Sequence, residues 1–218
     1  MNTDLKTAAN FRKHLEIHLR DHSSRTGESI DRLRRKVAFD RLLARIFTKT
    51  PSFFFLKGGY AMELRIARAR ATKDMDLTWF KRQSNATLPM SELILYELQM
   101  LARVNLNDHF IYQIGQPQRD VENAPYGGSQ HSVSAIIDSR PFIEFHLDVG
   151  GDFLIDDVEK VSGVNWLEFC DIPAPIIPMI SAANVEWLMG SEEEGFEPSS
   201  PLLVNLFSSP MPCRHPQH

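Results

Sequence analysis

The sequence predicts an α/β domain of the α+β kind, a small mixed sheet preceded by N-terminal helices. Three observations carry that prediction. Residues 4–47 read as two amphipathic helices, residues 53–80 as strand, turn, helix and strand, and residues 110–149 as three alternating strand runs.

Residues 4–24 place Leu5, Phe11, Leu15, Ile17 and Leu19 among polar neighbours, and the polar stretch Ser23–Ser29 with Gly27 breaks the helix. The second helix spans Ile30–Phe47. Leu33, Val37, Leu42, Leu43, Ile46 and Phe47 form its apolar stripe, and Arg34, Arg35, Lys36, Arg41 and Arg45 are assigned to its other face. Thr50-Pro51 ends it. Phe53–Leu56 is an apolar strand closed by Gly58-Gly59, and a helical segment follows from Tyr60 to about Ala69. The next strand carries Asp74 and Asp76, in a βαβ-like unit. Ser91–Val104 is amphipathic through Leu93, Ile94, Leu98, Leu101 and Val104. Phe110–Ile114, Ser132–Ile137 and Phe142–Val149 alternate as strands, the last two joined at Ser139-Arg140-Pro141 as a hairpin. Beyond Cys170 the text changes, with three prolines in Ile172–Met179, the acidic run Glu192–Glu194, and five prolines and four serines in 197–218. That end predicts disorder. The expected units are a helical region (1–50), a core (51–180) and an atypical tail (181–218).

The chain has 218 residues, 43% hydrophobic and 24% charged, as a soluble globular protein does. Its two cysteines, Cys170 and Cys213, build no disulfide framework and no cysteine metal site. The first twenty residues are polar and no apolar run spans a membrane, so the expected place is the cytoplasm. The net charge of −4 hides an asymmetry. Residues 1–82 hold 19 Lys and Arg against 9 Asp and Glu, and residues 83–218 hold 5 against 19. The basic part suits an anionic partner such as a nucleotide or RNA; equally, the two parts face each other or are simply solvated.

Asp74 and Asp76, two apart on a strand, point to one face and pair two carboxylates. Such a pair binds Mg²⁺ or Mn²⁺ through hard oxygens, which metal-assisted phosphoryl transfer requires. Asp148, at the end of the last strand, is the candidate third ligand, with Glu144 and His146 on its face. Lys57-Gly58-Gly59 follows a strand and opens a helix, where a backbone can approach phosphate closely. Arg70 and Lys73 are candidate phosphate contacts, whereas Arg65 and Arg68 read as a solvated helix face. No GxxxxGK[ST], GxGxxG or GxSxG pattern occurs, which argues against P-loop, dinucleotide-binding and serine-hydrolase chemistry. His14, His18 and His22 share a helix face but lack a completing zinc ligand, so they read as solvated.

Leu56–Arg65 (LKGGYAMELR) followed by Arg70–Leu77 (RATKDMDL) resembles the AbiEii/AbiGii toxin family of the DNA polymerase β-like nucleotidyltransferase superfamily. Ile30–Arg35 and Val37–Leu43 resemble that family's N-terminal helices, and Phe145–Asp152 its third-carboxylate strand. The resemblance covers roughly residues 10–180. It implies a nucleotidyltransferase core in which Asp74, Asp76 and Asp148 hold the metal, with Asp148 also orienting or deprotonating the acceptor. Gly58 and Gly59 are then expected to form the phosphate-facing turn, with Lys57, Arg70 and Lys73 as candidate triphosphate contacts. It also implies transfer from an NTP to an acceptor such as tRNA, a separately encoded antitoxin and a role in phage defence. Past Ile180 the family's Ala-Glu-Lys and Lys-Asp patterns have no counterpart, so a truncated or frame-altered member is expected. The alternative is a non-catalytic nucleotide- or partner-binding module of the same fold.

Overall fold

The computed structural model describes residues 5–48, 52–66, 71–80, 89–120, 128–151 and 158–181. The expected tail, apart from Ser181, and Arg68, Arg70 and Cys213 lie outside them. Helix α1 (Ala8–Thr26) starts where the Thr7 hydroxyl accepts from the Asn10 N–H, and it stops at Gly27, whose φ of 76° is left-handed. It therefore runs through most of the polar stretch read as a break. Helix α2 (Ile30–Ile46) is capped by Ser29 in the same way.

The sheet has the order β3-β4-β5-β2-β1-β7-β6. Its strands are β1 (Phe54–Lys57), β2 (Met75–Trp79), β3 (Ile111–Asp120), β4 (Gly128–Ile137), β5 (Arg140–Gly151), β6 (Val158–Ser162) and β7 (Ile176–Ile180). Helix α3 (Gly58–Arg65) joins β1 to β2, and α4 (Met90–Ala102) precedes β3. The β4–β5 hairpin turns at Asp138 and Ser139, both at positive φ, one residue earlier than the sequence suggests. The Arg12 guanidinium on α1 fastens this turn, donating to the carbonyls of Ile137, Arg140 and Pro141 at 2.8–2.9 Å. Strands β6 and β7 were not expected.

β1 and β2 are antiparallel, not a parallel βαβ unit. Lys57, the last residue of β1, therefore lies opposite Asp76, the second residue of β2. A parallel return would have put that aspartate at the far end of the strand.

The helices pack against one face of the sheet. Phe11, Leu15 and Leu19 of α1 and Leu33, Val37, Phe39 and Leu42 of α2 share one buried core with Leu77, Val133 and Leu147 of the sheet. Phe39 sets its ring edge-on to Tyr60 at 4.9 Å and to Phe145 at 4.8 Å, tying α2 to α3 and β5. Burial of each such side chain contributes about 1.5–3 kcal/mol. On the opposite face Ser132, Ser134, Glu144 and His146 remain partly or wholly accessible.

Arg41 and Arg45 do not lie on an outer basic face. Both are buried, and Asp108 holds them: Arg45 donates to its two oxygens at 2.6 and 2.9 Å, and Arg41 Nε at 2.7 Å. Arg34 pairs with Glu16, Lys36 with Glu28 and Arg32 with Glu63. Much of the N-terminal positive charge is thus neutralised within the fold. Arg65, read as solvated, instead bonds Glu159 of β6 and the Ile180 carbonyl.

Candidate functional site

At the end of the sheet where β1 stops and β2 begins, three elements meet. Strands β2 and β5 are parallel, and Asp76 stands opposite Asp148 in their register. The two side chains leave the sheet on the same face from adjacent strands. β1 flanks Asp76 on the other side, with Lys57 opposite it.

The turn from β1 into α3 is built against Asp76. Gly58 has φ 66°, and a Cβ there would lie 2.2 Å from Asp76 Oδ2. Gly59 donates its backbone N–H to the same oxygen at 3.4 Å. A Cβ on Gly59 would meet Thr72 at 2.8 Å. Backbone geometry and contact both require glycine at 58, and contact requires it at 59, so the turn sits on the carboxylate with no side chain between them.

Burial pushes the Asp76 carboxyl up to about 6, and the neighbouring Asp148 adds to this; the Gly59 N–H and Lys57 oppose it. Asp148 Oδ1 is buried and has no hydrogen-bond partner. Two close carboxylates, one with an oxygen left over, form a donor set suited to a hard divalent cation.

Asp74 departs from the expected pairing. β2 begins at Met75, so Asp74 lies in the bend immediately before the strand rather than on it. Its Oδ1 stands 3.4 Å from His146 Nδ1, both side chains being about half exposed (48% and 50%). His146 lies two residues before Asp148, so it shares that face of β5. Asp74 therefore stands on the same side as the pair, at its more exposed end, and its charge also helps raise the Asp76 carboxyl. Among the described residues no three His, Cys, Asp or Glu side chains converge on one point. Magnesium commonly needs only one or two carboxylates, completing its shell with water and phosphate oxygens. Lys73 is exposed in the same bend.

Thr72 fixes the approach to Asp74. Its N–H donates to Glu63 Oε1 at 2.5 Å, its carbonyl accepts from Arg35, and its hydroxyl donates to the Asp74 carbonyl. Arg32 holds the other Glu63 oxygen at 2.9 Å. The sequence reading missed Glu63. Its signal was a carboxylate four residues after Gly59, one helical turn on, and so on the same face of α3. His18 and His22 lie against Phe169 and Trp166 at 5.2 and 5.5 Å, as ring-packing residues of α1.

A family model of nucleotidyl transferase AbiEii toxins, of type IV toxin–antitoxin systems, matches residues 41–189. The chain belongs to the AbiEii family. The match spans the Gly58-Gly59 turn, all three aspartates and all seven strands, and it continues past the point where the quoted motifs end. The fold is similar to that of a solved structure, MenT4, a nucleotidyltransferase toxin from Mycobacterium tuberculosis H37Rv. The TM-score is 0.51 at 18% identity, over 79% of this chain and 55% of that one. That likeness is one of fold, and the chain spans about half the length of that relative. No curated protein matches the sequence significantly. Among the described residues no helix is long and apolar enough to cross a membrane.

Proposed function

We propose that this AbiEii-family protein transfers a nucleotide from an NTP to an acceptor hydroxyl on RNA, with tRNA as the acceptor class. The observation that carries the reading is the in-register pair Asp76–Asp148, set directly against the Gly58-Gly59 turn.

Asp76 and Asp148 would hold a divalent ion, Mg²⁺ or Mn²⁺, with Asp74 at the rim. When bound, the ion would neutralise phosphate charge and favour the attacking oxygen. The first turn of α3 offers backbone N–H groups to the triphosphate, and Lys57 adds positive charge at the same place. Lys73, and Arg70 in the same connection, are the further candidates for phosphate contact. In the transfer the acceptor oxygen bonds to the α-phosphorus while that phosphorus releases pyrophosphate. Asp148 would orient the acceptor hydroxyl or take up its proton. tRNA rests on the family resemblance alone. The family's type IV toxin–antitoxin systems support a separately encoded antitoxin as the partner; a cytoplasmic role in abortive infection and phage defence rests on the sequence reading alone.

The test is transfer by purified protein with Mg²⁺, each labelled NTP in turn and bulk tRNA, beside Asp76→Ala. Label appearing in RNA and vanishing in the variant is the expected result. No label with any NTP, from protein shown to be folded, would instead leave a non-catalytic binding module.

A further inference from the structure

Asp40 is a fully buried carboxylate in the apolar stripe of α2, outside the site described above. Its two oxygens serve two different parts of the chain. Oδ1 accepts the Tyr60 hydroxyl at 2.6 Å, and Oδ2 accepts the Val164 N–H at 2.8 Å, in the connection after β6. The fit is close, because a Cβ on Gly163 would lie 2.9 Å from Oδ2. Tyr60 is itself buried, with its ring edge-on to Phe39. In sequence it directly follows Gly58-Gly59. Helix α3 is only eight residues long, and no side chain caps its start. Its placement therefore depends on tertiary contacts.

We propose that Asp40 is a positioning residue for nucleotide binding: through Tyr60 it fixes the Gly58-Gly59 turn over Asp76, and through Val164 it locks α2 to the far edge of the sheet. This rests on the transfer reading above. A carboxylate has acceptor sites for both donors and needs no donor of its own, so its chemistry matches the two bonds made. An amide in its place turns a donor toward one of them. Removing the Tyr60 hydroxyl leaves a buried charge short of one bond. Asp40 bonds to Tyr60 and Val164 and to neither Asp76 nor Asp148, so its effect on nucleotide binding runs through the turn.

The experiment combines Asp40→Asn, Tyr60→Phe and the double variant with Leu19→Ala, a core deletion remote from the turn. The first readout is hydrogen exchange at the amides of residues 62–66, which bond to the carbonyls of α3's first turns. The second is the KM for NTP against kcat. Loss of one hydrogen bond to a charged group predicts about tenfold faster exchange there in each single variant. The double variant should exchange no faster. KM should rise several-fold with a smaller change in kcat, and Leu19→Ala should do neither. Unchanged exchange in a protein that transfers nucleotide would overturn this proposal alone. So would faster exchange with unaltered KM, or an equal KM rise in Leu19→Ala. Wild-type protein that neither binds nor transfers any NTP would remove the transfer reading, and this one with it.

Discussion

Gly58 is the residue least able to change. An added methyl would overlap Asp76, and φ 66° strains any non-glycine side chain. Gly58→Ala should cost about 1–3 kcal/mol in urea unfolding, and it should remove transfer activity by displacing Asp76. Asp40 makes a pH prediction. Burial raises its carboxyl from 3.8 to about 6. The folded state then binds more protons than the unfolded chain between those values, so stability falls as pH rises through that window and is level above it. The size is on the order of 3 kcal/mol. Asp76 shifts the same way. Asp108 is held below its ordinary value by Arg45 and Arg41, against burial, so its stabilisation is lost only as pH drops below about 4. Urea midpoints from pH 4 to 7 should therefore slope less steeply in Asp40→Asn than in wild type; parallel slopes would exclude the assignment. Asp76 and Asp148 were legible in sequence because carboxylates are rare in strands. Asp74 lies one residue before β2 rather than on it, because alternation cannot say where a strand begins. Asp40 was legible only as an acid inside an apolar stripe, a signal that went unused.

At the scale of elements, most helices and the long strands were readable. Ser29 and the spacing of Leu33, Val37 and Leu42 mark α2, and the alternation over Ser132–Val149 marks the hairpin. The edge of the sheet was not. β7 carries Pro178, which lacks a ladder donor and stands opposite Lys160 of β6, and Pro173 and Pro175 precede it. Exposed and half-buried residues alternate along β6, leaving no apolar face to detect. Strand direction was also beyond reach, since no local pattern separates an antiparallel return from a parallel one. The same limit hid the role of α2's arginines, because Asp108 lies more than sixty residues away. Asp108→Ala leaves two buried guanidinium groups without their carboxylate. It should destabilise by about 3–5 kcal/mol, read as a lower urea midpoint with an unchanged slope.

For the whole molecule, the sequence boundary at residue 50 marks a change of pattern, not a break in the core. Leu15, Leu33 and Leu42 pack into the same buried cluster as Leu77 and Leu147. A chain beginning at residue 51 should lack cooperative unfolding and expose apolar surface, checked by circular dichroism and dye binding; a sharp transition would show that the sheet stands alone. The antiparallel return of β2 beside β1 also has a consequence for how the protein is made. Lys57, Gly58, Gly59 and Asp76 lie within twenty consecutive residues, so short loop closure can assemble them while the chain is still being synthesised. Asp148 comes 72 residues later and reaches Asp76 only when β5 docks. A ribosome-bound fragment thus carries the Gly58-Gly59 turn and Asp76 without Asp148. Cells that translate this protein meet a complete site only after the middle of the sheet has closed.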